Sequence, residues 1–577
     1  MWGNTHDSEQ DLTVWRTEIY RAPDDLTLVD TLPATPAFES VLSLATQDTA
    51  ILPAASPKDT VEPSFWEKRS GNKARMTSNL THVEATATRV AWNSIVQIAS
   101  KIISLLSGIL VLSLTTRILT PNVYGDYVIA TVYIGFFGVL ADVGVNGITS
   151  REAARYPQYL NEVISASLVL KIVFSLFAYG GGSIVVFFLP YSTEVKIATI
   201  VLSLAMFIAS VGYTGDAAFQ AQLQMHIPSL GELIFRVVML GGTAGLFWYA
   251  TVTTAPQGTL FYGAVGTLSL AYVAGIVIRL YAIRRLFHFT FSIDVEAWKY
   301  LLVMAVPLGV AIVLGQIHYK ADAIILSLMQ TPRDVAIYGL AYKLIDIMQG
   351  FFPVFTGLLF PILGRFEKQD DPGFLRAARG VVNMSLVMIV PCGVGAVLVA
   401  PELLDIIGKG RYPESVLPMQ ILAMASVFSI MSLIHNNITI MQNRQKALMW
   451  TMLISVTVNI GFNLYAIPRY SYIGAAIATL LSEGVFMLLS IIVANRGGRM
   501  LPSLITLLQV AVACGAMVGG IYLARTYLPV TSTMPRLVEL VAIGAVAYGV
   551  VLVGIGGVDR SIAGDVFQRV LAKARRH

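Results

Sequence analysis

From about residue 92 onward the chain alternates long apolar runs with short polar breaks, and this rhythm persists almost to its end. A helix needs about 20 mostly apolar residues to cross ~30 Å of hydrocarbon, and about fourteen runs meet that length. Hydrocarbon offers no partner for a free backbone amide, so each run is expected to be α-helical. An even number of crossings places both termini on one side. The first 87 residues break the rhythm. They are polar, punctuated by proline, and hold no run long enough to span. They read as a disordered, dispensable cytoplasmic tail without a signal peptide's basic start and apolar centre. Met76, in "MTSNLTHVEATATRVAWNS", looks like a more natural start.

A weak internal repeat lies within the pattern. "TPNVYGDYVIATVYI" from Thr120 aligns without a gap to "TPRDVAIYGLAYKLI" from Thr331, matching Thr-Pro, Tyr127 with Tyr338, Ala130 with Ala341 and Ile134 with Ile345. Spans 1–6 and 7–12 then form two six-helix lobes around a central cavity, with two further helices appended. The expected division is a tail (1–87), an N-terminal lobe (88–290), a C-terminal lobe (291–496), helices 13 and 14 (497–557) and a basic cytoplasmic tail (558–577). Transporters built from such halves hold substrate between them, near the bilayer midplane.

Polar positions inside the apolar runs are more informative than the runs. An ionisable group at a helix centre costs at least ~2.5–3.5 kcal/mol, so it usually faces a cavity or a partner. In the first span Asn93, Gln97, Lys101, Ser104 and Gly108 recur at helical spacing and form one stripe. Lys343, Asp346 and Gln349 form another in the eighth. In the seventh, "GQIHYKADAIILSLM" holds His318 and Asp322 on one face and Lys320 opposite. Helices 1, 2, 7 and 8 are therefore expected to line the cavity, with Gln97, Lys101, Asp142, His318, Lys320, Asp322, Lys343, Asp346, Asn459, Asn463 and Glu483 as its candidate residues.

Each candidate also has a plainer reading. Glu232 and Arg236, four apart, read as a structural ion pair, and Lys343 with Asp346 can neutralise each other. Asp142 and Asp216 lie at helix ends near water. Asn459 and Asn463 share a face and suit interhelical hydrogen bonding. Lys101 and Lys320 have no acid three or four residues away, and these two lysines favour an anionic ligand.

Composition agrees with the pattern and removes other classes. The chain has 577 residues, 55% hydrophobic and 13% charged, where soluble domains hold about 25% charged. Mean hydropathy is +0.68. The pI near 9 suits Lys- and Arg-rich cytoplasmic loops, most clearly 282–299 and 363–379, better than it suits nucleic-acid binding. Both cysteines, Cys392 and Cys514, lie in apolar runs, which gives no disulfide framework and no metal site. No phosphate-binding loop, His-Glu-x-x-His or Gly-x-Ser-x-Gly occurs, so neither catalysis nor a cofactor is expected.

Several stretches resemble the polysaccharide flippases of the O-antigen and teichoic-acid type, within the multidrug/oligosaccharidyl-lipid/polysaccharide (MOP) exporter superfamily. They include "LTPNVYGDYVIATVYIGFFGVLADVGVNGITSREAAR", with Asp142-x-Gly144 and Arg151-Glu152, and "VPLGVAIVLGQIHYKADAIILSLM", with Lys320 two residues before Asp322. "AIYGLAYKLIDI", "GKGRYPESVLPMQILAMA" and "NIGFNLYAIPRYSYIGAAIATLLSE" follow in the same order, and the similarity covers about 90–495. It implies a plasma-membrane transporter, both termini cytoplasmic, that moves a polyprenyl-phosphate-linked glycan between leaflets by alternating access. It also implies pathway partners such as a glycan polymerase or glycosyltransferases. A peptidoglycan-precursor flippase and a cation-coupled drug exporter are the competing readings. A membrane glycosyltransferase would need an acidic cluster in a sizeable extramembrane loop, and no such loop is present.

Overall fold

The chain's structure, a computed structural model, describes residues 65–66, 83–156, 159–222, 224–286, 294–350, 372–442, 444–495, 501–528 and 532–557. Helices α1 (Val83–Ile118), α2 (Pro121–Leu140), α3 (Val145–Arg155), α4 (Leu160–Ser175) and α5 (Gly181–Val185) come first. They are followed by α6 (Thr193–Ala221), α7 (His226–Val252), α8 (Gln257–Leu286), α9 (Val295–Met329) and α10 (Pro332–Gln349). The last five are α11 (Pro372–Gly408), α12 (Val416–Met441), α13 (Gln445–Ala494), α14 (Leu504–Tyr527) and α15 (Thr533–Gly554). The protein is an all-helical, multi-pass membrane protein.

Among the described residues twelve helices are long and apolar enough to cross a membrane. One of them, Lys446–Ala494, provides two crossings. Ser471 leaves the helical region at φ 48° and ψ −130°, three residues after Pro468, and the chain folds back. Asn459 and Ser455 reach Ser482 across the resulting hairpin. Helix α10, at 18 residues, stands where the eighth crossing is expected but is not among the twelve, and the continuation of that crossing to 362 lies outside the described residues. The expected count of about fourteen includes this crossing.

Local sequence accounts for the two Thr-Pro helix starts and for their difference. Proline at the first helical position has no amide to leave unsatisfied. Thr331 completes a capping box with Asp334 at the third position, each side chain accepting from the other's amide. Val123 stands at the corresponding place in α2, so Thr120 has no such box, and its amide donates instead to Gln257 Oε1 at 3.0 Å. The triple glycine of the third span marks a break in pitch. Leu176–Gly180 is a π-helical turn, and Tyr133 Oη donates to the Gly182 carbonyl at 2.9 Å, where the regular ladder is interrupted.

The two Thr-Pro helices pack on each other. Gly339 lies against Val128, the position 211 residues earlier, so two residues matched by the repeat touch. Gly125 meets the Pro332 backbone so closely that any side chain would overlap its carbonyl. Gly125→Val is therefore expected to destabilise by about 1–3 kcal/mol, as overpacking does. Gly135→Val on the same helix, where an added Cβ meets nothing within 4 Å, is the control for thermal unfolding in detergent. Equal melting points for the two variants would contradict this packing.

At the other end of α2, Gly144 adopts φ 76°, a left-handed conformation that favours glycine, and turns the chain into α3. Its Cα faces α9 so tightly that a Cβ would come within 2.9 Å of the Ala305 carbonyl and the Gly309 amide. This is the physical content of the Asp142-x-Gly144 motif. Helices α14 and α15 pack against α11, where Arg525 donates to both oxygens of Glu402 at 2.8 and 2.7 Å.

Most of the expected tail, 1–64 and 67–82, lies outside the described residues. Within it, Phe65 and Trp66 are packed and Trp66 is 2% exposed, so the expectation of a structureless segment fails at this pair. Residues 83–87 are helical. The terminal segment 558–577 and parts of the two basic loops (287–293 and 363–371) also lie outside the described residues.

Candidate functional site

The apolar stretch that carries His318, Lys320 and Asp322 folds as the second half of α9, beside α10, α12 and the 472–494 arm of α13. These elements border a small, partly open cavity of about 20 Å³, room for little more than one water molecule. His318, Asp322, Asp346, Glu483, Tyr319 and Tyr342 are among its lining residues, with Gln349, Ser426 and Thr479 adding further polar groups.

Asp322 is buried at the base of this group. Its carboxylate accepts from the Tyr338 hydroxyl, from Thr479 Oγ1 at 3.1 Å and from the Ala323 amide at 2.7 Å, which ties α9 to α10 and to the hairpin. His318 and Glu483 are also buried, with His318 Nε2 3.3 Å from Glu483 Oε1. Neither imidazole nitrogen makes a hydrogen bond, and Glu483 Oε2 has none either, so this pair is held buried with unsatisfied polar atoms. Asp346 accepts from Tyr319 Oη at 2.7 Å and forms an ion pair with the exposed Lys343 at 3.3 Å.

Lys320 is half-buried, with its ammonium over the rings of Tyr319 and Tyr342 at 4.9 and 4.8 Å. A cation over an aromatic face is stabilised without an acid in its own helix. The two tyrosines thus join the lysine to the cavity that their other faces line. Of the expected lining, which mixed acids and lysines, the cavity has Asp322, Asp346 and Glu483 but none of the lysines. Helical spacing identifies which residues turn inward along one helix, but does not reveal that two tyrosines stand between Lys320 and the space.

The remaining candidates separate into two groups. On α1, Gly108 comes near the Ile347 side chain of α10, and Leu105 approaches Gly350. Lys101 and Gln97 are exposed, while Ser104 donates to Glu232 of α7 at 3.4 Å. The other group is structural in geometry. Asp142 pairs with the buried Lys171 of α4. Asn459 donates to Ser482 Oγ at 2.9 Å, and Asn463 donates to Asn459 Oδ1 at 3.0 Å, closing the hairpin. Glu232 and Arg236 form the expected pair at 2.8 Å, and Asp216 meets Arg279 at 3.1 Å. Among the described residues no group of three or more His, Cys, Asp or Glu side chains is arranged to hold a metal ion.

Sequence reasoning missed Tyr319, Tyr342, Ser426 and Thr479. Tyr319 sits between two residues that were singled out, and an aromatic in a membrane helix gives no signal distinct from packing. Thr479 lies four residues before Glu483, one turn along the same face, and that spacing was the available clue.

Comparison with known proteins places this geometry. Residues 90–367 match the family described as polysaccharide biosynthesis protein. The curated protein named "Probable flippase AglR" of Haloferax volcanii is 26% identical over 242 residues, 41% of this chain and 50% of its own length. The chain thus spans about half the length of that curated relative. Among solved structures, the lipid II flippase MurJ in an inward closed conformation superposes with a TM-score of 0.62 at 16% identity, covering 84% of this chain and all of that one. An inward-facing multidrug resistance MATE family transporter of the MOP superfamily gives 0.55 at 14% identity over 70% of this chain and 97% of its own. The chain shares the fold of these two transporters. The match to the polysaccharide biosynthesis family runs from within α1 past the end of α10, and the cavity draws also on α12 and the hairpin.

Proposed function

We propose that this chain is a MOP-type flippase that moves a polyprenyl-phosphate-linked oligosaccharide across the cell membrane by alternating access. The observation that carries this reading is the cavity between α9, α10, α12 and the hairpin. Its carboxylates, tyrosines, Gln349, Ser426 and Thr479 suit a sugar's many hydroxyls, for which carboxylates are strong acceptors. Lys320, over Tyr319 and Tyr342, and Lys343, paired with Asp346, stand beside it, where a phosphate at the lipid end of the head group meets a point charge, and Lys101 is exposed on α1. The family match and the flippase relatives support the same class. Both termini are cytoplasmic in this reading, because the basic loops 282–299 and 363–379 then face inward.

Three carboxylates at the cavity favour a second reading, export of an organic cation, and one experiment separates them. The full chain is reconstituted into proteoliposomes with a fluorescent polyprenyl-pyrophosphate-linked oligosaccharide, or with a cationic dye. Transfer of the lipid-linked sugar to the opposite leaflet, with no dye uptake, is the expected result. Dye movement without sugar transfer would replace the proposal by the second reading.

A further inference from the structure

The N-terminal pair Phe65–Trp66 is seated on the junction of α3 with α9. Phe65 stacks on Tyr300 with ring centroids 4.6 Å apart and planes 11° from parallel, and Trp66 meets the same ring edge-on at 6.0 Å. Trp66 joins a buried cluster that draws on α3, α4, α6 and α9, including Ile148, Val163, Phe219 and Leu301. Its indole Nε1 is buried without a hydrogen bond, so the contact is made at some polar cost. The ring it covers is itself the link between the two helices. Tyr300 Oη donates to the buried Glu152 of α3 at 3.0 Å, and Arg151 beside it reaches Met304 Sδ of α9 at 3.0 Å. Burial, with the Glu152 carboxylate alongside, pushes the Tyr300 phenol up to about 12, so it remains a donor to Glu152 at physiological pH.

We propose that the α3–α9 junction is a docking surface for the chain's own N-terminal segment, and that Phe65 and Trp66 act as a latch that holds this end of the transporter closed. α3 belongs to the first run of helices and α9 opens the second. In an alternating-access cycle, which this inference takes from the flippase reading, access from this end requires the two to part and Tyr300 to release Glu152. Seated aromatics bridge that separation and must leave before it.

The test uses the full chain with Cys392→Ala and Cys514→Ala, so that introduced cysteines are the sole thiols. Arg151→Cys with Met304→Cys reports closure at the latched end. Arg117→Cys with Arg411→Cys reports the opposite end, where Arg411 Nη1 donates to the Arg117 carbonyl at 2.9 Å. Phe65→Ala with Trp66→Ala is expected to slow oxidative crosslinking of the 151–304 pair about fivefold, the scale of one aromatic pair's contribution, while the 117–411 pair stays within about twofold. Phe65→Tyr with Trp66→Phe should restore most of the rate. An unchanged 151–304 rate would overturn the proposal. So would equal slowing of both pairs, because the aromatics would then support the whole fold and not this junction. Crosslinking needs no substrate, so failure here is distinct from failure of the lipid-linked sugar to move in proteoliposomes.

Discussion

Asp322→Leu is expected to leave almost no folded protein in the membrane, whereas Asp322→Asn should accumulate nearly as the parent does. The carboxylate accepts from Tyr338, Thr479 and the Ala323 amide, and both Asp322 and Tyr338 are fully enclosed. Leucine removes the acceptor and leaves the Tyr338 hydroxyl buried with only a 3.4 Å contact to Thr479, at about 1–3 kcal/mol, while Thr479 keeps the Ala475 carbonyl. It also disconnects α9 from α10 and from the hairpin at one point. Asparagine keeps an acceptor oxygen in the same place and removes a buried charge, which by itself lowers the desolvation penalty. Detergent-solubilised variants would be compared by size-exclusion profile and melting temperature. If the leucine variant melts with the asparagine variant, the network does not anchor these helices, and Asp322 serves the cavity alone.

The sequence made the membrane architecture readable because hydrocarbon imposes one rule on every crossing: about 20 apolar residues with all backbone groups paired internally. The one ambiguous region, 446–494, was still separable into two spans, since Pro468 and the Gly474-Ala475-Ala476 step mark a turn that a length criterion merges. Helical spacing also located the face of α9 that carries His318 and Asp322 and the stripe of α10 that carries Asp346 and Gln349. It failed on partners from other helices. Lys171 finds Asp142 from 29 positions away, and Asp216 finds Arg279 from 63, distances at which spacing along a single helix says nothing. The three carboxylates of the cavity, Asp322, Asp346 and Glu483, were all named from the sequence, but not that they line one space across three elements. Lys320 has no acid three or four residues away in its helix, as read from the sequence, and its ammonium lies over a pair of tyrosine rings, one of them on α10. Asn459 and Asn463 show the reverse case. Their plainer reading as hairpin glue fits the geometry, since each donates within the hairpin.

The second large effect concerns the lysines. Lys320 lies over Tyr319 and Tyr342, which line the cavity, and Lys101 stands exposed on α1. Neither forms an ion pair within the described residues, so removing either leaves no acid orphaned, and folding should survive. Transport should not. A charge-assisted hydrogen bond contributes about 1.5–3 kcal/mol, so each lost phosphate partner is expected to slow transfer about ten- to hundredfold. Lys→Arg keeps the charge and changes its shape, and should retain part of the rate.

Glycan export by cells that depend on this protein, with the Lys101→Ala, Lys320→Ala double variant present at matched membrane levels, tests the flippase account most directly. The account predicts that export falls at least about tenfold while the protein still inserts and melts as the parent does, and that the double Lys→Arg variant recovers part of the loss. Full export by the double alanine variant would contradict it, and the two lysines would then be structural.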